Sequence, residues 1–171
     1  MPSKPLCSLT RRHVLRALIS SWMLVCLPQV LPAATPDDGL KAGEYWWTPE
    51  LAPGGPLVIV VSLPEQRARV YRNGIRIGVT SISSGRRGYE TPPGVYAILQ
   101  KRREHYSNLY DDAPMPYMQR LTWDGVALHG GHVTGKPASH GCVRLPEAFA
   151  EKLFEVTERG KKTEKTGFGT H

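Results

Sequence analysis

Three histidines and a cysteine crowd into one glycine-rich stretch: His129, His132, His140 and Cys142. A cysteine attacks as its thiolate, and a nearby imidazole is a common means of generating it. Acyl transfer on a thiol needs three things: the thiolate, a base that takes and returns a proton, and N–H donors for the developing oxyanion. Cys142 is the candidate nucleophile. His129 ends the apolar run Val126-Ala127-Leu128 and precedes Gly130-Gly131. A strand there would hold the imidazole rigidly while the glycines let the chain turn away closely. With no carboxylate near in sequence, a backbone carbonyl of the Gly130-Gly131-His132 turn is the expected orienting group for that ring. The amides of Gly141 and Cys142, in a tight turn just before a helix, are candidate oxyanion donors. Arg144 can pair with a carboxylate or hold the loop's shape, and Ser139, Gly130 and Arg144 are expected on the substrate side.

Each residue has a plainer reading. A lone cysteine is commonly a small buried hydrophobe, and a lone histidine a hydrogen-bonded core residue. A glycine- and histidine-rich turn is nevertheless a poor way to build a core. The sharper rival is a zinc site, since three histidines and a cysteine can ligate that metal. The spacing His-x-x-His-x7-His-x-Cys fits none of the common structural zinc patterns. No metal and no cofactor is expected.

Cysteine usage supports a free thiol. The other two of the three cysteines, Cys7 and Cys26, fall in an N-terminal stretch that reads as an export signal. Lys4, Arg11, Arg12 and Arg16 come without an acid, an interrupted apolar run extends from Val14 to Leu31, and small Ala33 and Ala34 follow. The apolar run is too short and broken for a transmembrane helix, although a retained anchor is the alternative. Thr10-Arg11-Arg12-His13-Val14-Leu15-Arg16 also looks like a twin-arginine signal, so the route is Sec or twin-arginine. Setting aside the four basic residues of the signal leaves 18 Lys+Arg of 22 against 15 Asp+Glu, a net charge of +3 instead of +7. A nucleic-acid role loses most of its support with that change. The expected location is the periplasm or cell envelope. One exported domain is expected to act as a monomer there, touching membrane only through an uncleaved signal.

The elements that must position the site read mainly β. Residues 1–34 are the signal, and 35–55 a linker or irregular arm in which Trp46 and Trp47 tuck against the domain or stack on carbohydrate. A catalytic domain of 56–158 and a polar tail of 159–171 complete the expected organisation. Leu57-Val58-Ile59-Val60-Val61, bounded by Pro56 and Pro64, reads as a buried strand. Asn73-Gly74 between two alternating runs is a strong hairpin signal, because both residues tolerate positive φ. Thr91-Pro92-Pro93-Gly94 marks a turn before an expected strand at Val95–Leu99. The charged cluster Lys101-Arg102-Arg103-Glu104 reads as a solvated strand end. Residues 105–120 read as a long loop, and Leu121-Thr122-Trp123 and Val126-Ala127-Leu128 as strands about Asp124-Gly125. A helix is expected from Pro146, with Phe149, Leu153 and Val156 on one face.

Ser139-His140-Gly141-Cys142 with Arg144, the upstream His129-Gly130 and the Thr91-Pro92-Pro93-Gly94 stretch resemble the L,D-transpeptidase (YkuD-type) catalytic domain, from about Pro56 to Val156. The resemblance implies a β-sandwich or twisted sheet with one helix after the cysteine loop. It also implies Cys142 as nucleophile, His129 as proton acceptor and donor, and a supporting role for His140. Here only thirteen positions separate His129 from Cys142, and Arg144 stands where some members carry Asn. The implied partner is a peptidoglycan stem peptide. The cysteine would attack the carbonyl of the third residue, usually a diaminopimelate, release the terminal D-alanine and pass the acyl group to an amine. Transfer to water would make the protein an L,D-carboxypeptidase. An inactive wall-binding or zinc-binding protein is the remaining alternative. No Ser-x-x-Lys, the serine motif of penicillin-binding proteins, occurs in the chain.

Overall fold

A computed structural model of the chain describes residues 39–108 and 112–160. The expected export signal and most of the C-terminal tail lie outside the described residues. Among the described residues, two four-stranded sheets and one α-helix make up the fold. The first sheet comprises β1 (Tyr45–Trp47), β2 (Leu57–Ser62), β3 (Arg67–Arg72) and β4 (Ile75–Ser81), in the order β1-β4-β3-β2. The second comprises β5 (Gln100–Arg102), β6 (Met118–Arg120), β7 (Ala127–Gly130) and β8 (Val143–Leu145), in the order β5-β6-β7-β8. The helix α1 (Glu147–Val156) follows directly after Pro146. Proline suits that position, where its fixed φ and missing N–H cost a helix nothing.

Asn73 and Gly74 form the turn between β3 and β4 with φ of 49° and 78°, and Arg72 faces Ile75 across it. Both turn residues take the positive φ that a tight right-twisted hairpin needs. One core joins both sheets to the helix: Val70 and Ile77 from the first, Leu128, Val143 and Leu145 from the second, and Phe149, Ala150 and Leu153 from α1. Tyr45 and Trp47 pack their rings on Phe149, with centroids 5.5 and 5.4 Å away.

The structure revises several expectations. The expected arm contributes β1, which pairs antiparallel with β4 (Trp46 opposite Val79), so the sheet begins before residue 56. Of the two tryptophans, Trp47 tucks into the domain, where apolar burial outweighs the segment's loop-like composition. Strand β2 is an edge strand rather than a buried one, with Val58 56% and Val60 45% exposed. Residues 95–99 do not form a regular strand. Pro92 and Pro93 lack N–H groups, Tyr96 folds back to donate its hydroxyl to the Pro92 carbonyl (3.0 Å), and Val95 is exposed. Pairing begins only when the Leu99 N–H donates to Arg120 O (2.8 Å) and β5 follows. Within the expected loop lies β6, while Leu121-Thr122-Trp123 forms no strand of its own: the Leu121 N–H still donates to Val126 O (2.8 Å), and the chain then turns and leaves Trp123 exposed.

Sheet pairing is antiparallel except between β7 and β8, which run parallel. Parallel neighbours need a crossover of about a dozen residues. Residues 131–142 supply it without a helix, and this crossover is the segment that carries His132, His140 and Cys142.

Candidate active site

Register places the reactive groups. Gln100 faces Arg120 across β5 and β6, and Arg120 faces Ala127 across β6 and β7. On β8, Val143 lies beside Leu128 and Arg144 beside His129, so one step back sets Cys142 beside Ala127. Side chains alternate between sheet faces, so Arg120, Ala127 and Cys142 form one cross-strand row on a single face. Met118, His129 and Arg144 form the next row on the same face. These six residues line one cavity of about 250 Å³, together with His105, Met115, Gly125, Gly131, His132, Ser139 and His140. The opposite face turns to the core and helix: Leu128 and Val143 join the core, and Gln119 accepts a hydrogen bond from the Thr157 hydroxyl (2.7 Å).

His129 is 7% exposed, and its Nδ1 lies 2.8 Å from Gly130 O. A carbonyl only accepts, so Nδ1 carries the hydrogen and Nε2 is left as the basic nitrogen. A backbone carbonyl therefore orients the imidazole, the partner expected from the sequence. Burial pulls the His129 pKa down from 6.5 to about 4; the Gly130 hydrogen bond opposes this, and Arg144 adds to it. Cys142 packs against a small cluster of Met115, Met118 and Ala127. That burial pushes the thiol's pKa up, against a contact with the Ala127 backbone and the fields of Arg144 and Arg120. At neutral pH the resting pair is therefore thiol and neutral imidazole rather than an ion pair.

The Cys142 Sγ donates to Gly125 O (3.3 Å), and the proton transfer expected of this pair calls for a side-chain rotation toward His129. One expectation changes in detail. The Gly141 N–H, expected to serve an oxyanion, donates to Ser139 Oγ (3.1 Å) and would have to exchange that bond. Gly141 itself has φ of 113°, a conformation that suits glycine.

The crossover is braced from outside. Ser84 O accepts from the N–H groups of Ala138 (2.8 Å) and Ser139 (2.9 Å). Ser84 is itself held by buried Gln66, whose Nε2 donates to Ser84 Oγ (2.7 Å) and whose Oε1 accepts from Ser84 N (2.9 Å). Thr91, from the Thr-Pro-Pro-Gly stretch, accepts from Gly85 N (2.8 Å) and donates to Gly141 O (2.9 Å). Ser139 Oγ also donates to Cys142 O. His140 stacks edge-on against Tyr89 at 4.9 Å, with Arg86 over the other ring at 4.7 Å. Burial and the charges of Arg86 and Arg144 lower its pKa.

All seven residues expected at the site belong to this region: Gly130 ends β7 and the other six line the cavity or support its loop. His105, Met115, Met118 and Arg120 also line the cavity and lie outside the set expected from the sequence. Met118 and Arg120 sit on a strand too short to show alternation. The sequence signal available was Arg120 itself, two residues after an apolar Met. A second cavity of about 300 Å³ shares His105, Pro114 and Gly131 with the first and adds Glu104 and Glu147. Among the described residues, no group of three or more His, Cys, Asp or Glu side chains is arranged to hold a metal ion. No helix among them is long and apolar enough to cross a membrane.

A buried thiol and an oriented imidazole thus share one face of a small mixed sheet and line one cavity. The chain belongs to the L,D-transpeptidase catalytic domain family (YkuD), whose model matches residues 56–164. Among solved structures it is similar to an L,D-transpeptidase from Stackebrandtia nassauensis, with 32% identity and a TM-score of 0.56 over 61% of this chain and 52% of that one. An L,D-transpeptidase from Mycobacterium tuberculosis H37Rv gives 25% identity and a TM-score of 0.57 over 60% and 54%. L,D-transpeptidase 3 from Mycobacterium tuberculosis, in complex with a faropenem-derived adduct, gives 25% and 0.55 over 60% and 57%. The chain spans about half the length of the solved structures it matches. A comparison with curated proteins gave no match.

Proposed function

We propose that this protein is an exported peptidoglycan L,D-transpeptidase acting in the periplasm or cell envelope. The observation that carries the reading is the shared sheet face. Cys142 and His129 open into one cavity whose described lining contains two arginines and no carboxylate, which suits a peptide bearing carboxylates. The thiol of Cys142 attacks the carbonyl carbon of the third stem residue as its proton passes to His129 Nε2. The thiol is protonated at rest, so proton transfer accompanies attack. His129 returns the proton to the departing nitrogen, D-alanine leaves, and a thioester remains on Cys142. An amine of a neighbouring stem then attacks the thioester, loses a proton to His129 and restores the thiol. Ser139 and Arg144 bound the substrate side, and His140 supports the loop through Tyr89. Gly130, expected there, instead turns toward Glu147 and Pro116 on the helix side and serves the site through its carbonyl on His129.

The test is purified protein with a disaccharide-tetrapeptide, read by mass spectrometry. A covalent adduct on Cys142, loss of D-alanine and a cross-linked dimer are expected. Tripeptide without dimer would identify water as the acceptor. Unmodified substrate under conditions where Cys142 is reduced would overturn the reading.

A further inference from the structure

Arg120 stands in the same cross-strand row as the nucleophile, with only the methyl of Ala127 between them. Strands are spaced about 4.8 Å apart, so the Arg120 and Cys142 Cα atoms are separated by roughly 10 Å across a floor of alanine. The Arg120 Nε donates to Gln100 Oε1 (3.0 Å), its partner across β5 and β6, and the guanidinium lies 6.0 Å from the Trp123 ring. Among the described residues, Arg120 forms no ion pair with a carboxylate, and no acid lines the cavity it borders. An arginine held by Nε keeps its two terminal nitrogens for a planar anion, the geometry that suits a carboxylate bidentately.

We propose that Arg120 reads the free terminal carboxylate of the residue expelled when Cys142 is acylated. The inference rests on the transpeptidase reading above and adds a specificity-determining residue to it. One residue spans about 3.5 Å. A scissile carbonyl in contact with the thiol therefore sets the next carboxylate over Ala127, within reach of a guanidinium one strand away. Arg120 thereby restricts the acyl donor to peptides that end one residue beyond the attacked carbonyl. Longer stems put an uncharged amide where the carboxylate belongs.

The experiment compares D-alanine release from the disaccharide-tetrapeptide with release of D-alaninamide from its C-terminal carboxamide. Wild type, Arg120→Gln and Arg120→Lys are measured, with melting curves to confirm folding. Wild type is expected to prefer the acid by on the order of ten- to a hundred-fold in kcat/KM. Arg120→Gln is expected to bring that ratio near one by losing the acid rate, and Arg120→Lys to retain part of it as a point charge. If Arg120 merely shifted the thiol's ionisation, both substrates would slow equally and the ratio would hold, which overturns the proposal. A wild type without preference overturns it too, whatever the variants do. A wild type inert toward both substrates overturns instead the functional reading on which it rests.

Discussion

Acid should unfold this protein through His129. Its imidazole is buried and neutral, with a pKa pulled from 6.5 down to about 4. Between those values the unfolded chain binds a proton at this position that the folded chain does not. Stability therefore rises with pH through the window, is fully present above 6.5 and is lost as pH falls toward 4. A tenfold difference in proton affinity between the two states is worth about 1.4 kcal/mol, so the whole window carries about 3 kcal/mol and the step from about pH 7 to about pH 4.5 roughly 2 kcal/mol. Urea unfolding at those two pH values, on wild type and His129→Gln, isolates the contribution of this imidazole, because other titrating groups are common to both. The wild-type midpoint should fall on the order of 1 M further than that of the variant. Glutamine can still donate to the Gly130 carbonyl, so the comparison removes the titration more than the hydrogen bond. Equal losses in the two proteins, or an imidazole NMR titration centred near the ordinary histidine value, would refute the role assigned to His129.

Four further outcomes are expected. Cys142→Ser should fold normally, accumulate no acyl adduct by mass spectrometry and abolish transfer, because a hydroxyl is far harder to ionise than a thiol. Alkylation of Cys142 by iodoacetamide should stay slow through neutrality and rise only above the ordinary thiol range, since burial raises its pKa; a fast plateau in mildly acidic buffer would reveal a resting ion pair. Gly85→Ala would set a Cβ 1.9 Å from Tyr89 O and 2.7 Å from Thr91 N. It should lower the melting temperature and slow acylation by displacing the Thr91 bridge to Gly141. Phe149→Ala, which empties a fully buried site beneath Tyr45 and Trp47, should cost about 3–5 kcal/mol in chemical denaturation while leaving m nearly unchanged.

Local chemistry made part of this fold legible. Asn73-Gly74 declares a hairpin by its own φ preferences, and Pro146 followed by an apolar stripe declares a helix. The cysteine block was legible because its residue types do chemistry that a core has no use for. Pairing between distant segments was harder to read. Tyr45–Trp47 becomes a strand only because β4 offers an edge and Phe149 a surface, neither of which is local information. Met118, Gln119 and Arg120 span too few residues to show a period, and their alternation emerges from pairing with β5 and β7. Val95–Leu99 departs from its composition for the opposite reason: its residues favour a strand, but the two prolines before it and the Tyr96 hydroxyl bond hold it out of one. The state of Cys142 follows from burial against Met115, Met118 and Ala127 and that of His129 from its own burial, so the two side chains in isolation give no hint of a neutral pair.

The parallel closure of β8 on β7 also bears on when the proposed site can form. Cys142 comes to lie on the His129 face of the sheet only after a crossover has looped back and been anchored at Ser84, which in turn depends on Gln66, far earlier in the chain. Each of those contacts costs loop entropy before it returns anything, so this corner is expected to assemble late. A chain that has not yet made this closure carries a cysteine with an ordinary thiol and no imidazole beside it. On the proposed reading, competence for acyl transfer is thus tied to completion of the fold: the register that organises the site also withholds it from any chain that is only partly folded.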